Sequence, residues 1–219
     1  MGTLIRYIGE EGLEKAPATE AAEILRDGGV AIIPADTMYG LSARADNPEA
    51  VARINRIKGR PENTPQIVLL RYEWVEDFVA DMDKIRPLID AFMPGPLTII
   101  APAKEGTNLA DFLTPEGKIA FRITESWFAN EVMGILGVPM TSTSANTTAT
   151  PPLSDPMDII SQFDELVDGI FLYRDVRLDG PPSTMIDATN FPEVKLVREG
   201  AIPFEAITEY IQREIVGGD

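Results

Sequence analysis

The sequence contains no cysteine and no histidine. Without cysteine there is no disulfide, no thiolate zinc site and no cysteine nucleophile. Without histidine there is no imidazole base, no histidine metal ligand and no Ser-His-Asp triad. Any reaction that this chain catalyses therefore relies on lysine, arginine, carboxylates, hydroxyls, backbone amides or a hard metal ion. The absence of cysteine also fits a reducing compartment, and we expect a cytoplasmic protein.

Positive charge is scarce as well. Among 219 residues, 19 lysine and arginine stand against 35 aspartate and glutamate, a net charge of −16. Such a balance disfavours non-specific binding to nucleic acid and to anionic membranes. The longest apolar stretch, residues 91–103, contains three prolines and a glycine and cannot form a transmembrane helix. The N-terminal residues are charged where a signal peptide needs an apolar core, so no targeting segment is predicted.

The remaining composition is typical of a globular protein, with 44% hydrophobic and 25% charged residues. This length predicts one domain, over residues 1–219. Apolar runs alternate with amphipathic segments, which predicts an α/β fold with a mixed sheet. Strands are predicted at 3–8, 30–33, 38–43, 66–70, 97–101, 119–123, 138–142, 170–173, 184–186 and 194–197. Helices are predicted at 17–27, after residue 47, and at 74–80, 84–92, 127–136 and 204–215.

One basic segment interrupts this acidic chain. Residues 44–60 hold five basic and two acidic residues, while the rest of the chain holds 14 basic and 33 acidic ones. Asn47 and Pro48 are typical of a helix start, and Gly59 is typical of a helix end. A solvated helix face is the simpler interpretation of these charges. However, Lys58 and Arg60 can project past the helix end toward a polyanion such as a nucleotide triphosphate. If both are exposed, their replacement leaves thermal stability nearly unchanged.

Other residues suggest a ligand site less directly. Residues 141–150 are rich in serine, threonine and asparagine, which is typical either of a flexible linker or of a ligand loop at a strand end. Arg122 lies in an apolar strand, where a guanidinium needs an anionic partner. Asp36 and Asp187 can hold Mg²⁺ through water, although turn and cap roles explain them better. Tyr39 either packs on a ligand or fills the core.

The common nucleotide-binding fingerprints, G-x-x-x-x-G-K-[ST] and G-x-G-x-x-G, are absent. A phosphate site in this chain therefore depends on basic side chains, hydroxyls and loop amides. The candidates are Lys58, Arg60, Arg122, Arg198 and the loop at 144–146.

Six motifs together resemble the YrdC-type family. They follow the family's order over roughly residues 20–203 and comprise residues 28–61, PGPLTII at 94–100, KIAFRI at 118–123, STSAN at 142–146, PSTMID at 182–187 and LVREGAI at 196–202. The most specific element combines K-x-R at 58–60 with S-x-N at 144–146. The resemblance implies an open, twisted, mixed β-sheet flanked by helices, with a positively charged concave face. It also implies the short, single-domain form.

The activity implied by the resemblance is synthesis of L-threonylcarbamoyl-adenylate from L-threonine, bicarbonate and ATP, with release of pyrophosphate. In the family this is the first step of N6-threonylcarbamoyladenosine formation at tRNA position 37. The resemblance implies Mg²⁺ with the ATP and no protein-bound metal ion. We also expect transient contact with the downstream threonylcarbamoyl transferase complex, weak or no direct tRNA binding, and no membrane partner.

The family's functional positions carry over to individual residues of this chain. Lys58 and Arg60 are the implied catalytic residues and hold the ATP phosphates. The other implied nucleotide-binding residues are Thr64, Lys118, Ser144, Asn146 and Arg198. The implied threonine-binding residues are Thr37, Tyr39, Arg122, Ser142 and Ser183, with Arg122 as the carboxylate clamp. The chain departs from the family pattern at Ala35, Thr64, Leu69 and Ala149.

Three alternatives remain at this point. A related subgroup of the same fold lacks the K-x-R and S-x-N residues, which are present here. The same domain also occurs in much longer hydrogenase-maturation carbamoyltransferases. An RNA-binding or translation-factor-like module without the activity predicts a basic surface, which the charge of −16 disfavours.

Overall fold

The computed structural model describes residues 2–9, 15–174 and 176–217. Its strands are β1 Leu4–Ile8, β2 Ala31–Pro34, β3 Tyr39–Ser42, β4 Ile67–Leu69, β5 Leu97–Pro102, β6 Lys118–Arg122, β7 Met140–Ser144, β8 Gly169–Tyr173, β9 Thr184–Asn190 and β10 Glu193–Arg198. Its α-helices are α1 Ala16–Arg26, α2 Pro48–Ile57, α3 Val75–Phe78, α4 Met82–Phe92, α5 Trp127–Leu136, α6 Pro156–Phe163 and α7 Phe204–Ile211.

The ten strands form one mixed sheet in the order β1-β8-β2-β3-β7-β4-β6-β5-β9-β10. Four neighbouring pairs are parallel, namely β1–β8, β2–β8, β4–β6 and β5–β9. The other pairs are antiparallel. The mixed α/β sheet predicted from the sequence is therefore confirmed.

Several elements differ from the sequence prediction; for example, β9 continues to Asn190, four residues beyond its predicted end. Strand β7 begins and ends two residues later than predicted, so Ser144 lies on the strand itself, as Ser142 was predicted to do. Helix α6 was not predicted, although Asp155 and Pro156 give the same start signal as Asn47 and Pro48. The Asp155 carboxylate accepts a hydrogen bond from Met157 N at 2.9 Å. The last predicted helix is α only as far as Ile211 and continues as a π-turn, Gln212–Val216.

The two faces of the sheet are covered unequally. One face packs along its length on α2, α4, α6 and α7, through strand residues such as Val68, Phe121 and Ile186. The other face packs on α1 and α5 around Ile33 and Phe171. Over β5, β6 and β9, side chains on that second face stay only partly buried, among them Ile100, Ala120 and Met185. This open part of the sheet is where the candidate site lies.

Helix α2 begins and ends as its sequence predicts. The Asn47 side chain accepts a hydrogen bond from Ala50 N at 3.1 Å, and Pro48 takes the first helical position. The helix buries its apolar face, including Val51 and Ile54. Gly59 then turns the chain with a φ of 68°, a left-handed conformation that favours glycine.

The basic residues of α2 fall into two groups. Arg53 forms an ion pair with Asp168, and Arg56 pairs with Glu49 at 2.6 Å and with Glu62 at 3.0 Å. For these two arginines the solvated-face interpretation is correct. Lys58 and Arg60 behave differently and belong to the site described below.

No helix of the described residues is long and apolar enough to cross a membrane. The glutamates at 10, 11 and 14, on which the absence of a targeting segment partly rests, lie outside the described residues.

Candidate functional site

A cavity of ≈ 390 Å³ lies on the open face of the sheet beside β3, β6 and β7. Three arginines line it, and among the described residues no carboxylate side chain does. Those arginines are Arg60, Arg122 and Arg198. We call one side the loop wall, formed by Arg60, Gln66 and Asn146 with Asn55 and Lys58 behind them. We call the other side the strand wall, formed by Arg122, Ser142 and Ser183 with Asp36 behind them.

Lys58 lies behind the loop wall and is only 4% exposed. Its Nζ donates to Ser144 O at 2.5 Å, to Asn146 O at 2.9 Å and to Asn146 Oδ1 at 2.8 Å. All the donors of the ammonium group are thereby used. Burial lowers the pKa of Lys58 to about 8, with a smaller contribution from the charge of Arg60. The expectation that Lys58 is exposed is therefore wrong, and the prediction that its replacement leaves thermal stability nearly unchanged loses its basis.

The segment after β7 is held by specific hydrogen bonds. Ser144 Oγ donates to Asn146 Oδ1 at 2.6 Å, and Asn146 Nδ2 donates to Thr150 O. Thr148 N donates to the backbone O of Lys58 at 3.0 Å. Because its first half is strand and its second half is tied to Lys58, residues 141–150 are not a flexible linker.

Arg60 is partly buried and lines the cavity. Its Nε donates to Asn55 Oδ1 at 2.7 Å. Its Nη2 is buried without an acceptor from the described residues. Burial lowers the pKa of Arg60, but an arginine remains charged at neutral pH. The terminal nitrogens of Arg60 are thus available to an anion that enters the cavity.

Arg122 is 6% exposed on β6, as the apolar strand around it predicts. Asp36 Oδ2 lies 3.5 Å from Arg122 Nε, and neither atom has a hydrogen bond within the described part of the chain. Burial lowers the pKa of Arg122, and the charge of Asp36 opposes that shift. The predicted need for an anionic partner is therefore met only in part by the protein.

Asp36 has the cap role that the sequence favoured. Its Oδ1 accepts hydrogen bonds from the Thr124 hydroxyl, from Glu125 N at 2.7 Å and from Ser126 N at 3.0 Å. These bonds fix the turn between β6 and α5. They also hold the carboxylate beside Arg122, which the sequence did not reveal.

The two serines of the strand wall are tightly placed. A Cβ at Gly40, on the neighbouring β3, would lie 2.5 Å from Ser142 Oγ, so only glycine leaves room for this hydroxyl. Ser183 Oγ lies 2.9 Å from Thr98 Oγ1, and Arg198 Nη2 donates to Ser183 Oγ at 3.1 Å and to Ser183 O at 2.9 Å. Burial, and then the charge of Arg122, lower the pKa of Arg198. An anion between Arg122 and Arg198 would relieve their repulsion.

Lys118 belongs to a second cavity of ≈ 420 Å³ that adjoins the first. The two cavities share four lining residues, Pro65, Gln66, Ile67 and Met185. The second is lined mostly by apolar side chains, and Lys118 Nζ lies 3.6 Å from Asp187 Oδ2 at its edge. Asp187 also accepts hydrogen bonds from the backbone N and hydroxyl of residue 189 at 2.9 and 2.6 Å. It lies within β9 and not at a strand end, so the predicted turn role is wrong.

Tyr39 is a core residue. It is 0% exposed, its hydroxyl donates to Val176 O at 3.2 Å, and it accepts a hydrogen bond from Tyr173 N at 3.1 Å. Of the two alternatives for Tyr39, the structure shows the core role, with both sides of its hydroxyl used within the fold. Substrate binding by Tyr39 stays a prediction.

Two further predicted residues do not line the first cavity. Thr37 lies between Ala35 and Met38, which do line it, and its own hydroxyl is buried without a hydrogen-bond partner among the residues that the structure describes. The Thr64 hydroxyl donates to Pro61 O at 2.6 Å, whereas the next residue, Pro65, reaches the cavity. The site roles of Thr37 and Thr64 stay predictions.

The described residues contain no group of three or more carboxylates that could hold a metal ion. They do contain two site residues that the sequence argument missed, Asn55 and Gln66, both buried. The sequence did contain a signal for Asn55. This polar residue interrupts the apolar face of α2, next to Ile54 and one turn after Val51.

A family model for the Sua5/YciO/YrdC domain, described as "Telomere recombination", matches residues 23–200. A putative threonylcarbamoyl-AMP synthase of Methanocaldococcus jannaschii is 32% identical over 93% of this chain and 94% of its own length. The threonylcarbamoyl-AMP synthase of Pyrococcus abyssi is 29% identical over 92% of this chain, which spans 59% of that relative's length.

Solved structures show the same fold. The crystal structure of P. abyssi Sua5 complexed with L-threonine has a TM-score of 0.86 at 29% identity, covering 95% of this chain and 61% of that one. The crystal structure of E. coli YciO has a TM-score of 0.80 at 25% identity, covering 93% of this chain and 98% of that one.

Proposed function

The chain belongs to the Sua5/YciO/YrdC family, and on that premise we propose that it forms L-threonylcarbamoyl-adenylate from L-threonine, bicarbonate and ATP, releasing pyrophosphate. Relatives that match along most of this chain are named threonylcarbamoyl-AMP synthases, and a similar structure is complexed with L-threonine. The product would then serve tRNA modification through a separate transferase that moves the threonylcarbamoyl group to adenosine.

The observation that carries this proposal is the pair of incompletely bonded guanidinium groups in one cavity. Arg60 and Arg122 each have a buried N–H without a hydrogen-bond acceptor from the described residues. A buried guanidinium is stable only with an anionic partner. The cavity therefore calls for a ligand, or two ligands, with anionic groups at both walls, as an amino acid and a nucleotide provide.

The strand wall fits L-threonine. Arg122 would bind the carboxylate through its terminal nitrogens, which suit a planar bidentate anion. Ser142 and Ser183 lie on the same wall and would hydrogen-bond the carboxylate or the threonine hydroxyl. A site built to bind that hydroxyl rejects analogues that lack it, so 2-aminobutyrate should be a poor substrate.

The loop wall fits the ATP phosphates. Arg60 supplies free donors, and Lys58 keeps the Ser144–Asn146 turn in place beside it. The adjoining apolar cavity has the chemistry for a purine ring, with Lys118 at its edge. Mg²⁺ enters as part of the ATP complex, in which phosphate oxygens and water supply most of its ligands.

The chemistry needs neither histidine nor cysteine. The threonine amine forms a carbamate, either with CO₂ and release of a proton or with bicarbonate and release of water. A carbamate oxygen then attacks the α-phosphorus in line. The bond between the α-phosphorus and the bridging oxygen breaks, and pyrophosphate leaves with that electron pair. The protein positions the reactants and stabilises the charge that develops. One well-placed cation such as Arg60 contributes about 3 kcal/mol to such a transition state.

Direct tRNA binding should be weak, because the net charge of −16 repels a polyanion. Sub-micromolar binding of bare tRNA at physiological salt would instead favour an RNA-binding module of the same fold.

The test is pyrophosphate release, measured with L-threonine, bicarbonate and Mg-ATP and with each omitted in turn. We expect release only when all three are present. Arg56→Ala is the matched control, because this arginine lies on the same helix but is exposed and paired with Glu49 and Glu62. Release that does not depend on threonine, or no release while ATP and threonine still bind, would contradict the proposal.

A further inference from the structure

Asn55 is a fully buried amide in the last turn of α2, with 0% exposure. A buried side-chain amide is costly unless both of its N–H donors and its oxygen are bonded. At this position an apolar residue would pack on the core with its neighbour Ile54. The partners of Asn55 therefore indicate why a polar group stands there.

The hydrogen bonds of Asn55 close the loop that follows α2. Its Nδ2 donates to Glu62 O at 2.6 Å and to Thr64 O at 2.9 Å. Its Oδ1 accepts from Arg60 Nε at 2.7 Å and from Gln66 Nε2 at 3.0 Å. Because the first two partners are carbonyl oxygens, only the NH₂ group can face them, and the amide orientation is fixed.

This network determines how Arg60 enters the cavity. The backbone N of Arg60 donates to Asn55 O at 3.0 Å, while Nε is held by Asn55 Oδ1. With one edge of the planar guanidinium held, the orientation of the whole group is set. Its Nη2 is buried without an acceptor from the described residues, and Arg60 lines the first cavity.

We propose that Asn55 is a positioning residue that orients the Arg60 guanidinium for the anionic ligand of the loop wall. The inference rests on the proposed function, in which that ligand is the triphosphate of ATP. Asn55 touches no ligand itself, since it does not line either cavity. Its effect passes through Arg60 and the loop at 60–66.

The experiment measures ATP and pyrophosphate binding by calorimetry, without turnover, together with the KM values for ATP and threonine. In Asn55→Leu we expect about tenfold weaker binding of both anions, because a misplaced guanidinium loses a charge-assisted hydrogen bond. The threonine KM should change by less than about twofold, since Arg122 is held by other elements. Val51→Ala, a buried change on the same helix, controls for general destabilisation and should leave both KM values nearly unchanged.

A double variant separates positioning from a merely structural role. If Asn55 acts through Arg60, Asn55→Leu combined with Arg60→Ala binds pyrophosphate no more weakly than Arg60→Ala alone. The inference is wrong if the losses of pyrophosphate affinity in the two single variants multiply in the double variant. It is also wrong if Asn55→Leu raises the ATP and threonine KM values equally. Asn55→Ala removes the same hydrogen bonds with a smaller side chain and gives a second reading if Asn55→Leu does not fold. Anion binding should again weaken, with the threonine KM within about twofold.

The two proposals fail in different ways. If Arg60→Ala weakens anion binding and Asn55→Leu does not, the role of Asn55 is wrong and the proposed function stands. If both variants weaken anion binding but no threonine-dependent release occurs, Asn55 still positions Arg60 and the proposed reaction is wrong. If Arg60→Ala binds anions normally, the inference falls as well.

Discussion

The loop wall and the strand wall hold their arginines by different means. Arg122 stands on β6, whose register is fixed by β4 and β5 on either side, and Asp36 only approaches its side chain. Arg60 stands in a loop, and its position depends on the Asn55 side chain. A strand-borne group keeps its place when a neighbouring side chain is removed, whereas a loop-borne group does not. Substitutions in the loop wall should therefore act at a distance, and those in the strand wall locally.

The largest effect should come from Lys58→Met, which tests how far a loop-wall change spreads. It leaves the oxygens of Ser144 and Asn146 without their donor, so we expect a loss of about 2 kcal/mol in the free energy of unfolding. Pyrophosphate release should fall about a hundredfold, because the turn beside the phosphates is displaced. Urea unfolding and turnover check both values. Arg56→Met, at an exposed ion pair, should change stability by less than about 0.5 kcal/mol. Normal stability of Lys58→Met would show that this wall is not held as described.

The matching change in the strand wall is Gly40→Ala. The new Cβ would lie 2.5 Å from Ser142 Oγ, so the serine side chain must rotate. We expect the threonine KM to rise about tenfold, as for the loss of one good hydrogen bond, with the ATP KM within about twofold. Equal changes in both constants would show that the two walls are not independent.

A pH series distinguishes the two walls, because only the loop wall contains a buried lysine, Lys58. The pKa of Lys58 is lowered from 10.5 to about 8 in the folded chain. Between these values the unfolded chain binds more protons, so the contribution of Lys58 to stability rises with pH in that window. Activity should move the other way, because a neutral amine has two N–H donors for the same oxygens.

We therefore expect kcat/KM for ATP to fall about tenfold for each pH unit above 8, as the ammonium fraction falls. Lys58→Arg, which stays charged, should lack this falling limb. A wild-type profile that stays flat above the pKa of Lys58 would show that its ammonium group is not needed to hold residues 144–146.

The smallest effect should come from Tyr39→Phe. The lost hydrogen bonds to Val176 and Tyr173 cost about 1 kcal/mol of stability, measured by thermal unfolding. The threonine KM should stay within about twofold, since Tyr39 does not reach the cavity. A large rise in that KM would instead indicate that Tyr39 contributes to the threonine site.

The sequence predicted the fold class, most strands and helices, and several of the side chains that line the cavity, among them the three arginines. Periodicity was informative where one face of an element is buried, as in α2 and β6. It failed for α6, which buries only Ile159 and Phe163, and for the end of β7, where serine and threonine replace apolar residues. It could not distinguish Lys58, buried behind the wall, from Arg60, which lines it, because both follow the same helix end.

Long-range partners were beyond the sequence. The approach of Asp36 to Arg122 joins residues that are far apart in the chain, on β6 and on the turn between β2 and β3. The hydrogen bonds of Asn55 join residues that are close in the sequence. Their geometry nevertheless depends on the turn at Gly59, whose position the sequence predicted but whose conformation it did not. Contacts of this kind arise from tertiary packing and not from local propensity.

The central claim is that one cavity binds threonine at Arg122 and ATP at Arg60. The most direct measurement is a crossed pair of KM determinations on Arg122→Lys and Arg60→Ala. We predict that Arg122→Lys raises the threonine KM about a hundredfold and leaves the ATP KM within about twofold, because only the bidentate carboxylate contact is lost. Arg60→Ala should give the reverse pattern. If each variant impairs both substrates equally while remaining folded, the two arginines do not bind separate ligands and the account is wrong.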